Sequence, residues 1–154
     1  MSIKRRTFLH AALAAAAAGM ATVAGLLSPR ALWATRPTDV FETESFDDVL
    51  EALGGEPAES GEIKIRAPDI AENGAVVPVT VQTTLDKVEA ISIVVENNPN
   101  PLAASFDLTG GAGGMVSTRI KMAETSPVVA VVKADGKLYS AAREVKVTIG
   151  GCGG

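Results

Sequence analysis

The chain has 154 residues, is 47% hydrophobic and carries 14 basic and 18 acidic side chains. Its one histidine and one tryptophan fall within the first 34 residues, which also hold four basic and no acidic residues, so the remainder has a net charge near −8. Nucleic acid is excluded as an expected partner, because phosphate contacts need clustered Lys and Arg. Catalytic Ser-His or Cys-His pairs and zinc or transition-metal sites are excluded too, because they need imidazoles or several thiols.

Residues 1–34 have the three parts of an export signal. The basic start MSIKRR precedes an apolar, alanine-rich run at 11–27, and SPRALWA closes the segment. Arg5 and Arg6 are adjacent and followed by Thr-Phe-Leu, which resembles the twin-arginine pattern of signals that export folded proteins. A membrane anchor is the alternative, but two glycines interrupt the run and a proline stops it. We therefore expect cleavage after Ala34 and delivery to the periplasm without an anchor.

One short amphipathic helix is predicted near the start of the mature chain. The segment SFDDVLEALGG has apolar residues at helical spacing, namely Phe46, Val49, Leu50 and Leu53. Ser45 is a favourable N-cap with an acidic residue three positions later, and Gly54 is a favourable C-cap. These signals set the predicted bounds of the helix at residues 46–53.

The rest of the chain has the composition of β-strands. Seven segments rich in β-branched residues follow one another at 62–67, 75–83, 88–96, 102–108, 115–122, 127–134 and 137–149. Asp135-Gly136, between the last two, is a strong hairpin signal. The short, regular spacing predicts an all-β fold, an immunoglobulin-like β-sandwich of about seven strands spanning residues 35–149.

The turn ENNPNPLA, at residues 96–103, contains two Asn-Pro steps. Each proline limits φ, so we expect a rigid turn. A plain connection between strands and a rigid surface presented to a partner are both consistent with this pattern.

The sequence IGGCGG at residues 149–154 contains the single cysteine, Cys152, between two pairs of glycines. Gly150, Gly151, Gly153 and Gly154 have no side chains, so they predict a thin, flexible arm that can enter a narrow channel in another protein. The nearest basic residue in sequence is six positions away, so we expect the enzymes that the arm visits to activate the thiol.

The residues alone leave two classes of protein open. In the first, Cys152 is the attachment site of a covalent carrier, whose chemistry takes place in its partners. In the second, the chain is an exported β-sandwich scaffold whose cysteine forms an intermolecular disulfide clasp. A disulfide-linked dimer is also compatible with the carrier, as a side state in an oxidising compartment.

A signal-led β-sandwich followed by VKVTIGGCGG resembles the SoxY family, the sulfur carrier subunits of the periplasmic thiosulfate-oxidising Sox system. The resemblance implies a carrier and not an enzyme, with sulfur intermediates attached covalently to Cys152 and the four glycines as its swinging arm. It implies no cofactor and no metal on this chain. The partners that it implies are a SoxZ-like subunit in a heterodimer, a haem-containing coupling enzyme, a sulfate-releasing hydrolase and a sulfur dehydrogenase.

Overall fold

The computed structural model describes residues 38–108 and 113–151. The predicted export signal with Arg5 and Arg6, the predicted cleavage site and the segment 152–154 lie outside these ranges. Within these ranges, two short helices precede the strands, α1 at Thr38–Phe41 and α2 at Phe46–Leu53. Among the described residues, the strands are β1 Ala58–Glu59, β2 Ile63–Arg66, β3 Ile70–Ala71, β4 Val77–Thr83, β5 Val88–Val95, β6 Leu102–Asp107, β7 Met115–Ile120, β8 Ser126–Ala134 and β9 Lys137–Val147.

Helix α2 has the predicted bounds, and both of its ends are capped as the sequence predicts. The Ser45 hydroxyl accepts a hydrogen bond from the Asp48 backbone N–H at 3.4 Å, which satisfies one of the free donors of the first turn. Gly54 has a φ of +126°, which favours glycine, and its N–H donates to the Glu51 carbonyl oxygen. Local sequence therefore determines where this helix begins and ends.

Two sheets form the sandwich, and the predicted all-β class is confirmed. One sheet has the order β1-β9-β8-β5-β6, with β3 also paired to β9, and the other has the order β2-β4-β7. Each of the seven predicted strands is present, with bounds within two residues of the prediction. The predicted hairpin joins β8 to β9 through Asp135 and Gly136, both with positive φ as a type I′ turn requires. Strands β1 and β3 were not predicted; each has two residues and pairs in parallel with β9.

The core explains why strand β8 is apolar on both faces. Along β8, Val128, Ala130 and Val132 pack between the two sheets. Val129 and Val131 point the other way and pack in a second cluster that contains residues of α1 and α2. A strand normally alternates apolar and polar residues when one face meets water. The helices cover the outer face of β8, so this strand has a continuous apolar run from Val128 to Val132.

Strand β9 determines where on the sandwich the glycine-rich segment begins. It pairs antiparallel with β8 from Lys137 to Val145, and its last two residues, Lys146 and Val147, pair in parallel with β3. The chain after β9 thus reaches one end of the sandwich, beside the connection from β3 to β4 and the connection from β7 to β8. No helix in residues 38–108 and 113–151 is long and apolar enough to cross a membrane.

Candidate functional site at the base of the arm

The predicted carrier arm is only partly within the described residues. Gly150 and Gly151 are described, whereas Cys152, Gly153 and Gly154 lie outside the described residues. The structure therefore defines the base of the arm, residues 149–151, and its contacts with the sandwich. We call this segment the arm base.

The hydrogen-bonded ladder of β9 continues to the arm base. The Thr148 N–H donates to the Ala71 carbonyl oxygen at 3.0 Å, and its hydroxyl donates to the Glu72 carbonyl oxygen at 2.9 Å. One step further, the Ile149 carbonyl oxygen accepts from the Gly74 N–H at 2.7 Å. The chain is thus held to the segment after β3 until the first arm glycine.

The second arm glycine is also bonded to the sandwich. The Gly151 N–H donates to the Met122 carbonyl oxygen at 2.9 Å, and the Met122 N–H donates to the Gly74 carbonyl oxygen at 2.8 Å. Backbone groups of two connecting segments therefore surround the arm base. We call the residues that form this surrounding, Gly74, Ala75, Met122 and Ala123, the arm cradle.

Close approach of backbones makes three of these positions suitable only for glycine. A Cβ on Gly150 would collide with the Ala123 carbonyl oxygen, and one on Gly151 would collide with the backbone of Gly74 and Ala75. A Cβ on Gly74 would collide with the Met122 carbonyl oxygen, and would lie 2.8 Å from the Gly151 nitrogen. None of the three has a positive φ. Glycine is needed at these positions because two segments of the backbone pass so close to each other, which is a recognised role of glycine.

The turn ENNPNPLA holds the far side of the arm cradle. The Asn98 side chain donates from Nδ2 to the Lys121 carbonyl oxygen and accepts at Oδ1 from the Ala123 N–H, both at 2.8 Å. Its neighbour Asn97 donates from Nδ2 to the Thr125 carbonyl oxygen at 3.0 Å. Beyond connecting β5 to β6, this turn therefore fixes the segment against which the arm base lies.

The arm cradle binds by backbone geometry and not by charge. Its four residues have no ionisable side chains, and Met122 is fully buried. The hydrogen bond between Lys87 and Asp135 raises the pKa of Lys87 and lowers that of Asp135, but this pair lies beside the β8–β9 hairpin, at the opposite end of β9. Within residues 38–108 and 113–151, no three His, Cys, Asp or Glu side chains are grouped as a metal site would need. The cradle can hold and orient a chain, but it supplies no acid or base.

Sequence reasoning assigned one role to all four arm glycines, and it overlooked the arm cradle. Gly74 lies in the turn segment Glu72-Asn73-Gly74, where the Asn73 side chain accepts from the Ala75 N–H at 2.8 Å. That local pattern identifies a turn, but not a contact with residues 48 and 77 positions further along the chain. Asn98 carried a signal, because the rigid turn could serve a partner surface; its actual contact is within the chain.

Fold and site together describe a β-sandwich that holds a glycine segment by its backbone and leads directly to the chain's single cysteine. The family model of the sulfur oxidation protein SoxY matches residues 50–152, a range that includes Cys152. A similar solved structure is that of the sulfur carrier protein SoxY from Chlorobium limicola f thiosulfatophilum. It is 50% identical, with a TM-score of 0.60, over 67% of this chain and 96% of that chain. No curated protein matches this chain. The chain belongs to the SoxY family.

Proposed function

We propose that this chain carries the sulfur intermediates of thiosulfate oxidation on Cys152 and presents them to separate enzymes. Its family makes it a sulfur carrier of the Sox system and not an enzyme. The observation that supports Cys152 as the attachment site is its place: it is the single cysteine, it lies within the family match, and it directly follows the held glycine Gly151.

The chemistry of attachment needs a soft, accessible sulfur nucleophile. The Cys152 thiol and thiosulfate join through a new sulfur–sulfur bond, and the step releases one proton and two electrons. A haem-containing coupling enzyme accepts those electrons. Hydrolysis of the terminal sulfur–sulfur bond then adds water, releases sulfate and leaves the inner sulfur on Cys152. Covalent attachment retains the intermediate between enzymes that act in turn.

Partners and location follow from the same proposal. A SoxZ-like subunit forms a heterodimer with this chain, and the sulfate-releasing hydrolase and a sulfur dehydrogenase act on the loaded arm. The leader with Arg5 and Arg6 supports export to the periplasm by the twin-arginine route. The alternative, a scaffold with a disulfide clasp at Cys152, is not favoured, because the SoxY family consists of carriers.

Intact-protein mass spectrometry after incubation with thiosulfate and the partner enzymes tests the proposal. We expect sulfur and sulfonate additions on the native chain and none on Cys152→Ser, since a hydroxyl forms no sulfur–sulfur bond. Thermal unfolding of the two proteins should agree within about 0.5 kcal/mol, as for substitutions at surface sites. Additions that persist in the serine variant would show that the sulfur is held elsewhere.

A further inference from the structure

We propose that Asn98 is a positioning residue for the carrier arm. Its side chain holds the backbone of residues 121–123, which in turn holds Gly151, the residue directly before Cys152. This inference rests on the proposed function of Cys152, but its first test measures the backbone and needs no sulfur chemistry.

The segment 121–123 is held from both of its edges. In an extended chain, the hydrogen-bonding groups of successive residues point to opposite sides. On one side, the Asn98 amide bonds the Lys121 carbonyl oxygen and the Ala123 N–H, as a neighbouring strand would. On the other side, the N–H and the carbonyl of Met122 bond Gly74 and Gly151. The side chain of Asn98 thus takes the place of a neighbouring strand along the segment that holds the arm base.

Asn98 is itself well fixed. Its backbone N–H donates to the Val95 carbonyl oxygen at 3.2 Å, at the end of β5. The Asn97 N–H donates to the Ser126 hydroxyl at 3.0 Å, at the start of β8. Pro99 follows and limits the backbone further. The amide therefore presents its two hydrogen-bonding atoms from a rigid turn anchored to two central strands.

This support determines how far the thiol can reach. Neighbouring Cα atoms are 3.8 Å apart and a cysteine side chain adds about 3 Å, so a held Gly151 limits Cys152 Sγ to about 7 Å from the Gly151 Cα. If the chain were free from Ile149 onward, only Gly150, Gly151 and Cys152 itself would set the reach, and Sγ could lie about 13 Å from the Ile149 Cα. The thiol thus has the shorter reach when the Gly151–Met122 hydrogen bond is formed and the longer reach when it is broken. Asn98 favours the shorter reach, because it holds the segment whose Met122 carbonyl oxygen accepts this bond.

The test is amide hydrogen exchange at Gly151, measured by NMR on the full mature chain. Asn98→Ala removes both side-chain bonds, and we expect exchange at Gly151 to become roughly tenfold faster, the effect of losing about one hydrogen bond. Asn98→Asp keeps the acceptor for the Ala123 N–H but cannot donate to Lys121, so its effect should be intermediate. Asn100→Ala, in the same turn, is the matched control and should leave Gly151 unchanged.

Two outcomes would overturn the proposal. One is an equal exchange rate at Gly151 in Asn98→Ala and Asn100→Ala. The other is an equal acceleration at Gly151 and at amides of the central strand β8, which would show a general loss of stability. A second measurement compares alkylation of Cys152 by a small reagent with turnover by the coupling enzyme: Asn98→Ala should change the turnover and leave the alkylation rate as it is. If Cys152→Ser still carries sulfur, the proposed function fails, whereas the Gly151 exchange result stands by itself.

Discussion

Replacing Gly74 with alanine is expected to lower the free energy of unfolding by about 1–3 kcal/mol, the usual cost of forcing extra volume into a packed region. The new Cβ would collide with the Met122 carbonyl oxygen and lie 2.9 Å from Val147 Cγ1. The colliding oxygen belongs to the backbone, so it cannot rotate away as a side chain could. To relieve the collision, the backbone segment at Gly74 must move away from the segment at Met122. This movement weakens the hydrogen bonds of Gly74 to Ile149 and Met122.

Gly61→Ala is the matched control for this change. Gly61 has no positive φ, and a Cβ built on it meets nothing within 4 Å. Alanine there should be neutral or stabilising by up to about 1 kcal/mol, because it restricts the unfolded chain. Thermal unfolding followed by circular dichroism measures both variants, at roughly 4 °C per kcal/mol for a domain of this size. Equal melting temperatures for the two variants would refute the close-approach argument.

Two further predictions concern the leader and the hairpin. Replacing both Arg5 and Arg6 with lysine should leave folded precursor in the cytoplasm, because recognition depends on the guanidinium groups. Cell fractionation measures where the protein accumulates. Unchanged delivery to the periplasm would indicate the general secretory route. At the hairpin, the hydrogen bond and charge of Lys87 lower the pKa of Asp135, so any stabilisation by this pair is present above the unfolded pKa and is lost as the pH falls through the folded one. Both side chains are largely exposed, so Asp135→Asn should melt like the native protein at pH 7. Asp135→Val should melt lower because of its φ of +48°.

The fold could be predicted because its signals are local. Ser45 and Gly54 marked the ends of α2, and Asp135-Gly136 marked a turn whose φ values suit those residues. The two-residue strands β1 and β3 had no such signal, since they exist only through pairing with β9. The β-branched composition of β8 indicated a strand, but not that the helices cover one of its faces.

The same distinction between local signals and distant contacts applies to the candidate site. Cys152 and its glycines were recognisable because their composition and order are unusual in themselves. The arm cradle was not, because a glycine required by close approach looks the same in sequence as one required by a turn. Gly151 illustrates the difference: the sequence indicated freedom of the backbone, and the structure shows an N–H bonded to Met122.

The arm cradle also has a consequence for how the chain folds. It joins residues 74, 122 and 151, so its bonds close loops of 48 and 29 residues. Contacts between such distant residues form late, since the entropy of closing the loops must first be overcome. Gly151 lies just after β9, the last strand of the described residues, so we expect its bond to Met122 to form after β9 has paired. In a partly folded or shortened sandwich, the arm base that precedes Cys152 would therefore not be held in place. An arm base bound in its cradle indicates that the whole domain has folded.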